Sequence, residues 1–344
     1  MTSAGSPQGE PAVRYPNSTL CRRPRTDSNL FNLIIRRILI GLMTLGVVSI
    51  LVFAGLEILP GDAADIRLGQ NATAGNLAAY RKEHGLDQPA AVRYFYWLGE
   101  LASGDLGISQ AGGATISSLI EGRLFNTLRL AAIITIIAVP ISVMLGLLAA
   151  MMPGTIIDRV LTFGSMGLNA VPEFLVATVL ILIVAVNLGW FPAIAHPRDG
   201  MTTLQMLHAL AMPILTLTFV IAAQMIRMTR ASVLNVMSSP YIEMAILKGV
   251  PRKRIILRHA LLNCIGPIIN VVALNLAYLV SGVVVVESIF AYPGLAKLMI
   301  DGVQTRDLPL VQACAMIFCA TYVLLILVSD IASIVSNPRL RHPK

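Results

Sequence analysis

Six long apolar stretches limit what this chain can fold into. They cover residues 38–59, 128–151, 168–188, 204–225, 267–286 and 311–335, give or take a few residues at each end. A helix rises about 1.5 Å per residue and a bilayer's hydrocarbon core is about 30 Å thick, so roughly twenty apolar residues suffice to cross it. A soluble core would not need six such runs. Hydrophobic residues make up 56% of the chain and charged ones only 13%, against about 25% charged in a soluble domain. The expectation is an all-α, polytopic membrane protein with about six transmembrane helices. Pro140, Pro172 and Pro213 fall inside runs. A membrane helix tolerates proline where neighbours satisfy the freed carbonyls.

The formal net charge is +8. In a soluble chain that would hint at nucleic acid. Here the positions of the charges decide, and no nucleic-acid partner is expected. If the N-terminus lies inside, the inner segments hold Arg36, Arg37, Arg159, Arg227, Arg230, Lys248, Arg252, Lys253, Arg254 and Arg258. They also hold the basic residues of both tails. The outer segments hold fewer Lys and Arg, and five of those lie in one long loop. The positive-inside rule therefore places both termini in the cytoplasm.

The expected layout follows. Residues 1–30, rich in Pro, Ser, Thr and Arg, read as a disordered cytoplasmic tail. Arg22 and Arg23 form a twin arginine, but no apolar run with a small-residue cleavage site follows closely. Residues 31–59 hold the first span, 60–127 an extracytoplasmic loop region, 128–337 a core with a cytoplasmic loop at 227–266, and 338–344 a short tail. Cys21, Cys264, Cys314 and Cys319 have no CxxC spacing and read as free thiols. The five histidines show no metal-ligand spacing. Neither a metal nor a cofactor is expected.

The block SSPYIEMAILKGVPRKRIILRHALLN, residues 238–263, stands out from these apolar surroundings. Ile242, Ala245 and Ile246, with Leu247 alongside, suggest a short helix of mixed character. Gly249 suits its C-terminus, because glycine accepts the left-handed conformation that ends helices. Pro251 suits the start of a second helix, where its missing N–H is not needed. A basic amphipathic helix on anionic lipid, or a plain positive-inside loop, would account for the charge. Neither accounts for the short apolar helix ahead of it. A short helix projecting from the membrane is the shape that docks in a groove on another protein.

YIEMAILKGVPRKRIILRHALLNCIGP resembles the EAA coupling motif of ABC importer permeases, in the wording of the dipeptide/oligopeptide/nickel branch. That branch reads close to Y-x-x-x-A-x-x-K-G, then R-H-A-L-x-N-x-x-x-P. Met244 departs from the general motif, where an alanine is usual. GLDQPAAVRYFYWLGELASGDLGIS (85–109) is similar to the branch's G-L-D-x-P…G-D-L-G-x-S element. RMTRASVLNV (227–236) is similar to its R-x-T-R-x-S-x-L-x-V. ESIFAYPGLAKLMIDGVQTRDLPLVQA (287–313) is similar to its E-x-x-F-x-x-P-G-L-G…R-D-x-P-x-V-Q, with Ala296 where a second glycine is usual. The long first external loop points to the B-type subunit.

The resemblance implies a type I importer permease fold and residues that couple to an ATPase: Tyr241, Glu243, Ala245, Lys248, Gly249, Arg258 and His259. It implies a C-type permease partner, two ABC ATPase subunits and an extracytoplasmic substrate-binding protein, all working within membrane lipid. The cargo stays open among peptides, nickel, glutathione, opines and sugars. The chain carries no G-x-x-x-x-G-K-[ST], so hydrolysis would belong to partner subunits and the chain itself is not expected to be an enzyme. A membrane protease is disfavoured, since H-E-x-x-H, G-x-S-x-G and paired carboxylates on spans are all missing. An ion- or proton-coupled secondary carrier or channel is the alternative, though it would want more ionisable groups within its spans.

Three other features invite readings. Glu173 follows Pro172 in or beside the third span, and either lines or gates the translocation path or sits at a cytoplasmic boundary. Tyr94, Phe95, Tyr96 and Trp97 read as an interfacial anchor or, alternatively, as a docking surface for an external protein. Glu287 and Asp307 flank the last external loop and read as structural.

Overall fold

The computed structural model describes residues 26–58, 73–83, 85, 87–198, 200–251, 254–255 and 261–336. No strand occurs among them. In chain order the helices are α1 (Thr26–Glu57), α2 (Ala74–Glu83), α3 (Ala90–Ser103), α4 (Ile116–Met151), α5 (Ile156–Ala170) and α6 (Glu173–Leu180). α6 continues into a wider π-helical stretch, Ile181–Asn187. Then come α7 (Thr203–Ala209), α8 (Ala211–Met237), α9 (Pro240–Leu247), α10 (Leu261–Ile289), α11 (Leu295–Gln304) and α12 (Leu308–Ser336). Five of these are long and apolar enough to cross a membrane: α1 from Ile34, α4, α8, α10 from Cys264, and α12 as far as Ile331. The architecture is the all-α, polytopic one that the apolar runs require.

The third span departs from expectation. The run 168–188 reads as one continuous helix, but the chain breaks at Val171 and Pro172, and the helices on either side meet at 106°. Proline has no N–H to donate and pushes the preceding residue out of the helical region, and Val171 is extended, at φ −92° and ψ 127°. Apolar residues lie on both sides of the break, so hydropathy does not register it. Two other spans are shifted. The helix of the second begins at Ile116, because its first turns carry Ser117, Ser118, Glu121 and Asn126, which apolar counting leaves outside. The run 204–225 is divided between α7, opened by a capping box of Thr202 and Gln205, and α8, which continues to Met237. Residues 26–30, expected within the N-terminal tail, form the start of α1. The rest of that tail, and residues 338–344, lie outside the described residues.

α8 is the hub. Its buried face, including Leu217, Ile221 and Met225, packs with Leu130, Ile134 and Ala138 of α4 and with Leu279, Val283 and Val286 of α10. Small residues allow the closest approaches, as is usual between membrane helices. A Cβ at Gly146 would lie 2.7 Å from Thr229 Cβ and 2.9 Å from the Ile226 carbonyl oxygen, so α4 and α8 cross there almost backbone to backbone. α1 is peripheral. It lies against α12, tied near one end by Arg37–Asp330 at 2.9 Å and near the other by Glu57 to Arg93 of α3.

Two fully buried carboxylates organise the bundle end away from α9. Glu287, near the end of α10, accepts the Thr127 hydroxyl at 2.6 Å and the N–H groups of Ala296 at 2.9 Å and Lys297 at 3.3 Å. Those are first-turn N–H groups of α11, which have no partner inside their own helix. Leu295 N–H completes the set by donating to Thr127 Oγ1 at 2.8 Å. Asp307 does the same for the start of α12, accepting Leu310 N–H at 3.4 Å. It also accepts the Ser109 hydroxyl and the N–H groups of Gln110 and Ala111 at 3.1 and 3.2 Å. The GDLGIS and RDLPL elements, far apart in sequence, are thus joined through one aspartate. Both residues are structural, as their positions in the sequence suggest.

Gly294 is fitted to this arrangement, since a Cβ there would overlap the Glu287 carboxylate. Glu287→Ala orphans the buried N–H of Ala296 and the partly buried N–H of Lys297 and should cost roughly 2–4 kcal/mol. Gly294→Ala should also destabilise on its own. The double variant is expected to be more stable than the sum of the two predicts, because the carboxylate that the added methyl would strike is gone. Thermal unfolding of the purified protein in detergent, carried through the four-membered cycle, measures this coupling.

Candidate functional site

α8 ends at Met237, and the chain turns through Ser238 and Ser239 into α9. Ser239 is extended, and Pro240 occupies the first helical position, where a missing N–H costs nothing. At the other end Lys248 is the C-cap and Gly249 adopts φ +75°. Gly249 N–H donates to Ile246 O at 2.9 Å, and Val250 N–H to Ala245 O at 3.2 Å. These are the paired bonds of a Schellman motif, the stop that a left-handed glycine provides.

Among the described residues of this helix, Ile242 is the fully buried one. It packs among Val236, Met237 and Ile255, with Ala245 and Val250 at the edge. The other side is open. Tyr241, Met244, Ile246 and Leu247 are exposed, Leu247 to 75%. Glu243 and Lys248 are also exposed, and Ala245 is half-buried. Glu243 lies in the first turn, where the helix dipole favours an acid. Tyr241, Met244, Ile246 and Leu247 thus form an exposed apolar surface on a helix of eight residues. Arg258 and His259, expected to belong to this motif, lie outside the described residues, as do Arg252 and Lys253.

Glu173 is remote from α9. It opens α6 just after the break at Pro172 and is half-buried. Its Oε2 is buried and makes no hydrogen bond. That oxygen would lie 3.1 Å from a Cβ placed at Gly282 of α10, and the same Cβ would meet Leu217 of α8 at 3.0 Å. Leu217 is twenty residues from Met237, about 30 Å along the helix axis. The carboxylate therefore sits within the bundle, far from the end that carries α9.

The sequence reading does not single out Asp158. Its side chain is 5% exposed and takes a two-pronged contact from Arg230 of α8, Nε to Oδ1 at 2.5 Å and Nη2 to Oδ2 at 2.9 Å. Gly154 N–H adds a bond at 2.9 Å and Thr162 Oγ1 another at 3.3 Å. Arg230 enters that reading only as one of the inner basic residues and within RMTRASVLNV, and nothing local in the sequence pairs residue 158 with residue 230.

The aromatic cluster divides its roles. Tyr94 and Trp97 of α3 pack on Phe53 of α1 with ring centres 5.5 and 6.0 Å apart, and the Tyr94 hydroxyl meets Ser49 Oγ at 2.8 Å. Phe95 and Tyr96 face outward, each about 70% exposed. Among the described residues no group of three or more His, Cys, Asp and Glu could hold a metal ion.

Residues 142–342 match the family described as the binding-protein-dependent transport system inner membrane component, and residues 30–145 match the N-terminal region of such membrane components. The chain belongs to this permease family. Similar proteins include the probable peptide ABC transporter permease protein y4tP of Sinorhizobium fredii, 32% identical over 310 residues, or 90% of this chain and 99% of that one. The oligopeptide transport system permease protein AppB of Bacillus subtilis is 34% identical over 312 residues, covering 90% of this chain and 99% of its own. The glutathione transport system permease protein GsiC of Escherichia coli O6:H1 is 34% identical over 314 residues, 91% of this chain and all of its own. The permease is thus an ABC importer subunit of the type I fold, which displaces the reading as a secondary carrier or channel.

In this permease the short helix has a stop and an anchor that can each be removed by one substitution. No atom lies within 4 Å of a Cβ built on Gly249, so Gly249→Ala carries only backbone strain, about 1 kcal/mol. Ile242→Ala removes the anchor and should cost roughly 2–5 kcal/mol locally. Hydrogen exchange over residues 240–250 should therefore quicken about fivefold in the first variant and far more in the second. The rest of the bundle should keep its protection in both.

Proposed function

We propose that this chain is the B-type permease of an importer for peptides or related small solutes. It works beside a C-type permease, two ABC ATPase subunits and an extracytoplasmic substrate-binding protein. Both termini and α9 face the cytoplasm, in keeping with the distribution of Lys and Arg. Residues 1–30 and 338–344 are cytoplasmic tails, 31–59 the first span, 60–127 the extracytoplasmic region and 128–337 the core. The observation that carries this reading is α9. Its buried Ile242 faces the bundle, while Tyr241, Met244, Ile246 and Leu247 are presented outward. That is the form of an amphipathic helix that fills a groove on a partner.

In this mechanism the chain makes and breaks no bond. ATP binding draws the two ATPase subunits together. Each pulls on the short helix seated in it, and the spans exchange access between the two sides of the membrane. Tyr241, Glu243, Ala245, Lys248, Gly249, Arg258 and His259 form or flank the docking element. Glu173 lies along the translocation path. A carboxylate oxygen buried in the bundle without a protein donor supports that placement. The names of the similar permeases support peptides, oligopeptides and glutathione as the class of cargo.

Two sets of variants test this. Glu243→Lys and Gly249→Pro should insert and fold yet abolish ATP-driven uptake of labelled short peptides into vesicles, and should weaken co-purification of the ATPase subunits. Full uptake with the ATPases still bound would overturn the docking role. Glu173→Gln should lower uptake while leaving that co-purification intact, and unchanged uptake would remove Glu173 from the path.

A further inference from the structure

The proposed docking of α9 explains how force arrives but not how it reaches the broken span, and the geometry around Asp158 supplies a route. Ile242 seats α9 on Val236 and Met237, so a pull on α9 is a pull on the last turns of α8. Arg230 lies seven residues before Met237, about 10 Å back along that helix. There the Asp158 carboxylate is gripped by both prongs of the guanidinium while also accepting the Gly154 N–H of the α4–α5 turn. Beside Arg230, Thr229 and the Ile226 carbonyl meet Gly146 of α4. The end of α4, the start of α5 and the end of α8 are therefore fastened together at the end nearest α9.

An apolar seam would not do the same work. Packed helices can slip by a turn with little loss of contact area, and such one-turn ratchets are a known kind of transition. A two-pronged arginine–carboxylate contact fixes both register and orientation. From this joint α5 continues to Ala170, twelve residues or about 18 Å on, and so to the Pro172 break that places Glu173.

We propose that the Asp158–Arg230 pair is the joint through which movement of α9 is delivered to the broken span, so that α5 travels with α8 and the Glu173 elbow is displaced. Asp158 and Arg230 act here as positioning residues. This inference rests on the docking role of α9 proposed above.

The test uses the whole transporter in lipid nanodiscs, with ATP and vanadate as the probe, so no cargo need be known. Spin labels go on Phe163→Cys of α5 and Asn235→Cys of α8, both exposed positions, with the native cysteines replaced. With the native pair in place, the distance between labels should be the same without nucleotide and in the vanadate-trapped state. In Arg230→Gln it should shift between states by about 5 Å, one turn of helix, with ATP hydrolysis retained. Arg230→Lys, which keeps the charge but loses the fork, should fall between. A merely structural pair would lower stability without creating this dependence on nucleotide. A distance that already shifts with the native pair present overturns the joint alone, and that measurement does not depend on any Arg230 variant folding. An unchanged distance in Arg230→Gln also overturns it. If the chain with its native pair fails to bring down the ATPase subunits, the docking of α9 falls and the joint falls with it.

Discussion

Helix ends are the difficulty for a chain that lives in lipid. The first N–H groups of a helix have no partner within it, and the bilayer core offers no water to supply one. Here, at the starts of α11 and α12, a buried acid meets the need. Glu287 reaches from the end of α10 to the start of α11, and Asp307 caps α12 while gathering residues 109–111. Asp158 takes the Gly154 N–H at the α4–α5 turn. Glu287 and Asp307 each close a helix end, and all three carboxylates join segments distant in sequence. Glu173 breaks the pattern. It too stands at a helix start, but one of its oxygens is buried without a donor. A residue so placed contributes little to holding the fold, which is why a role along the path suits it better than a structural one.

The two ends of the bundle differ in how they are held. Away from α9, Glu287 fastens α10 to α4 and α11, and Asp307 fastens residues 109–111 to the start of α12, each through several hydrogen bonds. At the other end, among the described residues, α9 buries the side chain of Ile242 with Ala245 at its edge, and one glycine stops it. Losing either hold costs a few kcal/mol, the isoleucine through the cavity it leaves and the carboxylate through the N–H groups it leaves unpaired. The end held by Ile242 is the one that presents an exposed apolar surface, where the proposed partner would engage it.

Much of this was legible in the sequence, for reasons that differ by element. Span number follows from run length, because lipid admits few alternatives to a long apolar helix. α9 was legible because its signals are local, apolar residues at Ile242, Ala245 and Ile246 followed by the stop at Gly249. The break at Pro172 was not, since proline inside an apolar run is tolerated at Pro140 within α4 but ends the helix at Pro172. Only the neighbours decide between the two outcomes. The start of α4 was hidden by polar residues such as Asn126 and Thr127, whose partners Pro293, Leu295 and Glu287 lie far along the chain. Asp158 was invisible for the same reason, its partner Arg230 sitting on another helix.

That limit separates two kinds of information in the chain. Residues that shape α9 act through bonds to near neighbours, so a motif can carry them. Residues that transmit its movement act across helices, and each half of the pair looks ordinary alone: an arginine near a membrane boundary, an aspartate after a turn. The welded region around Gly146, Asp158 and Arg230 gives those ordinary residues a mechanical meaning, because it ties the helix that leads into α9 to the helix that leads to the Pro172 elbow. A subunit with no nucleotide motif of its own needs such a path, since displacement at one rim has to become displacement about 30 Å away. Two-pronged pairing and backbone-close crossings resist slippage over that distance better than side-chain packing alone.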